Sequence, residues 1–396
     1  MKINYHENKK ELGIVYDFNK INAEFKKLGV PTDVWTPCSV PFNSAKWIIE
    51  MSERTVGKTT NVLLYGLVMH KLYGTHIEYV RETEIMLAPK YTKDLCNVIN
   101  EFGYVEKLTD GRYNRLVYDR RRWYYAKMDC DMNIVEKSNT DVITMLSIDN
   151  AYEIKSTYNS PFGDLIILDE FISKHYKDDE FTDFCQIIST IFRLRRSGWI
   201  FLLTNTVDLY SPWFDELAIH NKVLSMKSGD NEVIESPLGT NLFLEWIKPN
   251  EVMTEKKRIG QRLYFGFTNK KLNAINGGGW EVKQYPHLPR VDGDETRELI
   301  YRDRYIKFYD NYLCLEVWKS DKIGMYLYIR PYYEVPTKTT YVLDTPQYIN
   351  HRFGFGYDKI DKFIWGLYSK YRVYYTTNEV GSIVEKFVDR IKSKHR

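Results

Sequence analysis

A glycine, a lysine and a threonine stand together in Gly57-Lys58-Thr59, between two apolar segments. The segment before them, Trp47-Ile48-Ile49, is typical of a buried strand, and an apolar pattern of helical period follows them. A strand, a polar loop and a helix in this order predict a phosphate-binding loop, whose backbone N–H groups surround phosphate oxygens. Lys58 would contact the β and γ phosphates, and the Thr59 hydroxyl would bind Mg²⁺. These residues therefore predict a site for a nucleoside triphosphate.

This loop departs from the strict motif at one position. Ser52 stands where a glycine is expected, five residues before Gly57. The alternative interpretation is a solvated lysine at the start of a helix. We expect the loop as a whole to contact the nucleotide, through Ser52, Glu53, Arg54, Thr55, Val56, Gly57, Lys58, Thr59 and Thr60.

A second chemical feature lies downstream, where the apolar run 165–168 ends in Asp169 and Glu170. A continuous apolar run is typical of a buried parallel strand, and ligands bind at the carboxyl ends of such strands. We expect Asp169 to hold Mg²⁺, through water or together with the Thr59 hydroxyl, and Glu170 to polarise the attacking water as general base. The alternative for an acidic pair after a strand is a solvated turn. Beside a phosphate-binding loop, the pair favours ATP hydrolysis.

The next apolar strand, 199–203, ends in Thr204-Asn205-Thr206. A polar side chain at this point would lie at the same sheet edge as Asp169. Asn205 is therefore predicted to sense the γ-phosphate, and the alternative is an ordinary asparagine turn. The helix predicted before this strand, about 181–194, ends in several arginines.

Composition limits the remaining possibilities. The 396 residues allow two or three domains, and 56 basic against 53 acidic residues give a net charge of only +3. No global field therefore favours nucleic acid, so such a partner must use local patches. Five cysteines without a CxxC pair suggest neither zinc nor a disulfide framework. The amino terminus has no apolar signal region, and no apolar run approaches about 20 residues, so we expect no membrane partner.

The predicted fold class is α/β, with a mostly parallel central sheet followed by a smaller α+β domain. Residues 1–215 would form the ATPase domain. Residues 216–285, with polar turns, a lysine-rich helix at 255–262 and three glycines at 277–279, would form a linker or lid. Residues 286–396 would form the carboxyl-terminal domain, because three strand patterns lie at 305–309, 313–318 and 325–329.

The stretch 112–127 alternates arginines with aromatic residues and predicts strands. Arginines 120–122 beside Trp123 and Tyr124 have two interpretations. One is a nucleic-acid face, because guanidinium groups pair with phosphates and aromatic rings stack on bases. The other is a solvated sheet face opposite an aromatic core face.

With these features together, the chain resembles the DNA-packaging ATPases of small short-tailed phages, which are relatives of terminase large subunits. The stretch SERTVGKTT resembles the terminase variant of the phosphate loop, in which the first glycine is often replaced and an arginine, here Arg54, lies four residues before the lysine. LIILDEF resembles the acidic strand of that family, and 189–214 resembles its arginine-finger helix and sensor strand. The likeness spans most of the chain but is specific only over about 47–214.

This resemblance implies further roles for individual residues. The fold would be the ASCE type of P-loop ATPase. Arg193 lies where the family has an arginine finger that acts in trans, and Arg195 and Arg196 remain alternatives. Arg54 would be either a cis-acting catalytic arginine or a structural one. Lys155 would also reach across an interface between subunits.

The resemblance also implies a function and partners. With ATP and Mg²⁺ as cofactors, the chain would form a homo-oligomeric ring, a pentamer, on the phage portal of a procapsid. It would act in the host cell cytoplasm and drive double-stranded DNA into the preformed capsid; the use of a packaging RNA stays open. The carboxyl-terminal domain would resemble a ribonuclease H fold that has lost its nuclease activity, although Glu316, Asp321 and Asp344 are available carboxylates.

Two alternatives remain beside the motor. The first is a terminase-like ATPase whose carboxyl-terminal domain is an active nuclease. The second is a nucleotide-dependent scaffold without motor activity. A guanine-specific switch is disfavoured, because the closest string to its specificity motif, Asn269-Lys270-Lys271-Leu272, lacks the aspartate.

Overall fold

The computed structural model describes the chain in thirteen ranges: 15–53, 56–92, 94–158, 163–173, 176–177, 179–193, 197–205, 208–264, 284–288, 296–309, 311–343, 346–354 and 358–394. The chain divides into two compact units, Met1–Glu281 and Val282–Arg396. Some residues named above lie outside the described ranges, namely Arg54, Thr55, Arg195, Arg196, Thr206, Asp344 and the stretches 269–272 and 277–279.

The first unit is built on a sheet whose described strands number ten. They are β1 Trp47–Ser52, β2 His76–Arg81, β3 Arg115–Asp119, β4 Arg122–Met128, β5 Ile134–Lys137, β6 Ile143–Ser147, β7 Gly163–Asp169, β8 Trp199–Asn205, β9 Asn231–Glu235 and β10 Asn241–Trp246. Their order is β3-β4-β6-β2-β7-β8-β1-β10-β9, with β5 paired to β4. The six strands from β6 to β10 in this order are parallel, and the outer ones are antiparallel.

Helices cover both faces of this sheet. They are α1 Phe18–Lys27, α2 Lys58–Tyr73, α3 Pro89–Thr92, α4 Asn97–Glu101, α5 Tyr104–Leu108, α6 Ala151–Thr157, α7 Glu180–Phe192, α8 Pro212–Glu216, α9 His220–Ser225 and α10 Glu251–Tyr264, with short 3₁₀ turns at Pro37–Ser39, Glu84–Leu87 and Ile148–Asn150. Neighbouring residues of β1 enter separate cores, because side chains alternate along a strand. Ile48 packs with α1 and α2, and Ile49 packs with α6 and α7.

The second unit contains a mixed sheet under two helices. Its strands are β11 Arg297–Phe308, β12 Asn311–Ser320, β13 Gly324–Tyr332, β14 Thr340–Val342, β15 His351–Phe353 and β16 Val373–Tyr375, and its helices are α11 Lys359–Ser369 and α12 Asn378–Lys394. The strand order is β15-β14-β11-β12-β13-β16. Strands β11 to β13 are an antiparallel meander, and β14, β15 and β16 each pair in parallel. The predicted fold class, a mostly parallel α/β domain followed by a smaller α+β unit, is confirmed.

Two stretches differ from the sequence-based expectation. Residues 231–246, expected in the linker, form a hairpin that extends the central sheet, with β10 parallel to β1. The polar turn inside the hairpin is typical of a linker, so the sequence did not indicate two strands of the central sheet here. In the structure, Leu242, Phe243 and Leu244 are buried. The sequence also predicts one helix over 91–102, but the structure divides this range between α3, which ends at Thr92, and α4, which begins at Asn97. Gly103, with a φ of +65°, then separates α4 from α5. No described helix is long and apolar enough to cross a membrane.

Candidate active site

The residues with predicted chemistry meet at one edge of the central sheet. Strands β1, β7 and β8 are parallel neighbours, and their last residues are Ser52, Asp169 and Asn205. Strand β2 lies on the other side of β7 and ends at the same edge in Arg81. The phosphate loop connects β1 to α2 here, so the carboxyl edge of the sheet carries the candidate site.

The loop places Lys58 at the first position of α2. Gly57 precedes it with a φ of +87°, and a Cβ there would approach Asn61 Nδ2 to 3.0 Å and Val34 Cβ to 3.3 Å, so this position requires glycine. Lys58 is buried, and its Nζ donates to Ser52 Oγ and, at 3.3 Å, to Asn205 Oδ1. Ser52, the departure from the strict motif, therefore supplies a hydroxyl that holds the lysine.

Thr59 faces Asp169 across the site. The threonine Oγ1 lies 3.1 and 3.0 Å from the two carboxylate oxygens, and Tyr79 OH donates to Asp169 Oδ2 at 2.7 Å. Burial raises the pKa of Asp169, while the Arg81 charge and the Tyr79 and Thr59 hydroxyls act in the opposite direction. A hydroxyl and a carboxylate in contact at the start of a helix form a donor set that suits Mg²⁺.

Glu170 is held by Arg81. Arg81 Nη2 lies 2.6 Å from Glu170 Oε2, and Arg81 Nη1 lies 3.4 Å from Asp169 Oδ2. Glu170 has a φ of +56°, a conformation that non-glycine residues adopt at a cost and that is concentrated at functional sites. About half of the Glu170 side chain is exposed to solvent.

These groups surround a cavity of about 390 Å³. Its lining is polar and includes the positive end of α2, which suits a triphosphate. The residues present therefore fit a nucleotide with Mg²⁺. The lining residues are Val56, Gly57, Lys58, Thr59, Thr60, Asp169, Glu170, Thr204 and Asn205.

The structure thus brings together most of the residues that the sequence predicts for this site, and their chemical roles stay predictions. Glu53 follows β1 but is not among the described lining residues. Sequence reasoning missed Arg81 and Tyr79 as partners of the acidic pair. A partial signal exists for Arg81, because it is a charged residue at the carboxyl end of a predicted strand, as Asp169 is.

Arg193 lies far from this cavity. It follows α7, which returns from the carboxyl end of β7 towards the amino end of β8. Strand β7 has seven residues, so about 20 Å separates the two sheet edges. Arg193 Nε donates to Thr190 O at 3.1 Å, and Nη2 donates to Tyr158 O at 3.4 Å. Arg193 therefore cannot reach the phosphates of its own subunit in this arrangement.

The arginines at the β3–β4 turn are largely paired. Arg121 contacts Glu84, and Arg122 Nη1 lies 3.5 Å from Asp141 Oδ1. Two of the three guanidinium charges at 120–122 are thus balanced by carboxylates. This balance favours a solvated sheet face over a nucleic-acid face.

In the second unit, Glu316 is enclosed by donors. Arg302 Nη2 and Arg330 Nε lie 2.7 and 2.8 Å from Glu316 Oε1, and Trp318 Nε1 donates to Oε2 at 2.9 Å. Burial opposes ionisation, but the Arg330 and Trp318 bonds and the arginine charges outweigh it and lower the pKa of Glu316. Both carboxylate oxygens are already used, so Glu316 is poorly placed to bind a metal ion.

Comparison with known proteins gives structural matches. The sequence matches no protein-family model, and no curated protein matches it. One similar solved structure is the Phi-28 gp11 DNA packaging motor, at 18% identity and a TM-score of 0.55, covering 91% of this chain and 99% of that chain. Another is the bacteriophage Phi-29 viral genome packaging motor assembly, at 18% identity and a TM-score of 0.57, covering 91% and 100%. The predicted resemblance to phage packaging proteins is confirmed at the level of the fold.

Proposed function

We propose that this chain is an ATPase that works as a motor and translocates double-stranded DNA into a preformed viral capsid. The observation that carries the ATPase proposal is the contact between Thr59 and Asp169 beside Lys58, at the carboxyl edge of a parallel sheet. The motor proposal draws support from the whole-chain likeness in fold to proteins of two phage packaging motors.

Within this proposal, each side chain has a defined task. Lys58 neutralises phosphate charge, and Thr59 and Asp169 hold Mg²⁺. The metal ion, when bound, neutralises charge that develops on the phosphate oxygens. Glu170 orients the attacking water and accepts its proton once Arg81 no longer occupies Oε2. Asn205, already 3.3 Å from Lys58 Nζ, contacts the γ-phosphate.

Arg193 acts in trans in this proposal. Its place near the opposite edge of the sheet, which the length of β7 puts about 20 Å from the edge with the phosphate loop, supports a role in a neighbouring site. A finger of this kind contributes on the order of 10³–10⁵ in rate. A ring, proposed as a pentamer docked on the phage portal in the host cytoplasm, would supply the neighbour.

The second unit is proposed to lack nuclease activity while keeping a ribonuclease H-like order of strands. The two-metal nucleases need several carboxylates that converge on ions about 3.5–4 Å apart. The bonds from Arg302, Arg330 and Trp318 to Glu316 support the loss of that chemistry. We favour a role for this unit in contacts with nucleic acid or portal.

The decisive experiment measures phosphate release by the purified chain, alone and with DNA and portal-bearing procapsids. Glu170→Gln should abolish turnover while ATP still binds, and Lys58→Ala should abolish both. The matched control for the first is Glu298→Gln, an exposed glutamate of the second unit. Wild-type turnover by Glu170→Gln would contradict the mechanism. Turnover that procapsid and DNA never stimulate would favour the nucleotide-dependent scaffold over the motor.

A further inference from the structure

A buried polar network occupies the amino edge of the central sheet, opposite the candidate active site. Its centre is Glu78 on β2, which is fully buried. Glu78 Oε1 lies 3.1 Å from His76 Nδ1, and Glu78 Oε2 accepts a hydrogen bond from Tyr158 OH at 2.6 Å. Each oxygen of this carboxylate thus has a short, well-defined partner, which a buried charge requires.

His76 connects Glu78 to a second carboxylate. Its Nε2 lies 3.1 Å from Asp141 Oδ2, which also accepts from Thr144 Oγ1 at 2.7 Å. Burial by itself lowers the pKa of His76, but Glu78 and Asp141 outweigh it and raise the pKa to about 9. The imidazole is therefore charged at neutral pH and donates from both nitrogens. This network holds the ring of Tyr158 through its hydroxyl group.

Tyr158 also contacts Arg193. Tyr158 directly follows the last residue of α6. The Tyr158 N–H donates to Ile154 O at 2.9 Å, and the Tyr158 carbonyl accepts from Arg193 Nη2 at 3.4 Å. The second anchor of the guanidinium is Thr190 O, 3.1 Å from Nε. Arg193 itself has a φ of +44°, a conformation that a non-glycine residue adopts only at a cost in free energy. The position of Arg193 therefore depends on contacts within its own subunit.

We propose that Tyr158, anchored by Glu78 and His76, is a positioning residue for Arg193. The hydroxyl fixes the ring, the ring fixes the end of α6, and the carbonyl there sets where the guanidinium stands at the subunit edge. This inference rests on the proposed trans role of Arg193. A misplacement of about 1 Å costs up to 10²-fold in rate, so a weakened anchor should be visible in turnover.

The first test removes only the anchoring hydroxyl, with Tyr158→Phe. In the assembled ring, kcat should fall about tenfold while the KM for ATP stays near that of the wild type, because the nucleotide pocket is untouched. The matched control is Tyr152→Phe in the same helix, whose side chain is 81% exposed, and it should behave as the wild type. The double variant Tyr158→Phe/Arg193→Ala should be no slower than Arg193→Ala alone, because both changes act through one group.

A second variant separates positioning from stability. Tyr158→Phe leaves the buried Glu78 carboxylate with one donor fewer, so it lowers Tm as well. The control is Val105→Ala in α5, a fully buried residue outside this network, which should lower Tm through lost packing and leave turnover near that of the wild type. Tyr158→Phe should lower turnover well beyond Val105→Ala at a similar loss of Tm. Equal losses of turnover in the two variants would show a merely structural role and overturn the proposal.

Mixed rings give a readout that a folding defect cannot produce. In rings of Tyr158→Phe with Glu170→Gln, an intact Arg193 from the Glu170→Gln subunit can enter an intact site of its neighbour, so turnover should exceed the sum of the separate rings. If turnover in the mixed rings did not exceed this sum, the positioning role would be overturned. It would also be overturned if Tyr158→Phe lowered the turnover of Arg193→Ala as much as it lowers that of the wild type. Wild-type turnover by Arg193→Ala would instead contradict the trans role in the proposed function.

Discussion

Arg81 Nη2 lies 2.6 Å from Glu170 Oε2, and Nη1 of the same guanidinium lies 3.4 Å from Asp169 Oδ2. One cation on β2 thus binds both carboxylates at the end of β7. It offsets the repulsion between two adjacent acids, one of which is buried. While the bond to Glu170 lasts, that oxygen cannot accept a proton from water. The arrangement links the state of the general base to the position of Arg81.

Replacing Arg81 should impair the site through its charge. We expect Arg81→Gln to lower turnover at least tenfold and to reduce Tm, because a buried carboxylate that loses its partner costs about 3–5 kcal/mol. Arg115→Gln on the outer strand β3 is the matched control and should leave turnover unchanged. Steady-state kinetics and thermal unfolding measure the two effects. Unaltered turnover in Arg81→Gln would mean that Arg81 has no part in the chemistry.

Asn205 should discriminate between ATP and ADP. Its Oδ1 lies 3.3 Å from Lys58 Nζ, at the position proposed for the γ-phosphate. Asn205→Asp keeps the shape but adds a negative charge, so it should weaken ATP binding at least tenfold more than ADP binding. Calorimetric titration of both nucleotides gives the ratio. Equal weakening for the two nucleotides would place Asn205 away from the γ-phosphate.

His76 should make the stability of the first unit depend on alkaline pH. The pKa of His76 is about 9 in the folded chain, against an ordinary value of 6.5, because the carboxylates of Glu78 and Asp141 face the ring. Arg122, near Asp141, and His70 act in the opposite direction on this pKa. The stabilisation is complete below about pH 6.5 and is lost as pH rises through 9. The free energy of unfolding should fall by about 2 kcal/mol more in the wild type than in His76→Gln between about pH 7 and about pH 9.5. Equal falls in the free energy of unfolding of the wild type and of His76→Gln over this pH range would refute the prediction.

The second unit should not cut DNA. Glu316 is paired with Arg302 and Arg330, so neither Mg²⁺ nor Mn²⁺ should produce cleavage of supercoiled plasmid. Glu316→Ala should instead lower the free energy of unfolding, because Arg302, Arg330 and Trp318 lose their common acceptor. Metal-dependent cleavage that disappears in Glu316→Ala would support the terminase-like alternative.

Local patterns in the sequence were sufficient for much of the fold and for half of the site. The phosphate loop, the acidic strand and the Asn205 strand are each recognisable because strand, turn and helix signals occur together within a few residues. Helix α1 is a further local feature, because it begins directly after Asp17, whose side chain accepts from Lys20 N. Such features depend on interactions close in sequence.

Other features depend on strand order, which local patterns do not contain. Arg81 meets Glu170 only because β2 lies next to β7, although 89 residues separate them. The sequence of the hairpin β9–β10 is typical of a linker, and only its pairing with β1 shows that it belongs to the central sheet. The anchoring of Arg193 by Tyr158 likewise needs α6 and α7 to pack together. In each case the partner is set by tertiary structure, so a single sequence could not reveal it.

A crystal structure with Mg²⁺ and a non-hydrolysable ATP analogue would test the proposed site most directly. We expect the γ-phosphate within hydrogen-bonding distance of Lys58 Nζ, and a magnesium ion held by the Thr59 hydroxyl and Asp169. A nucleotide bound elsewhere on the chain, with Lys58 still bonded to Ser52 and Asn205 and no ion near Asp169, would contradict it.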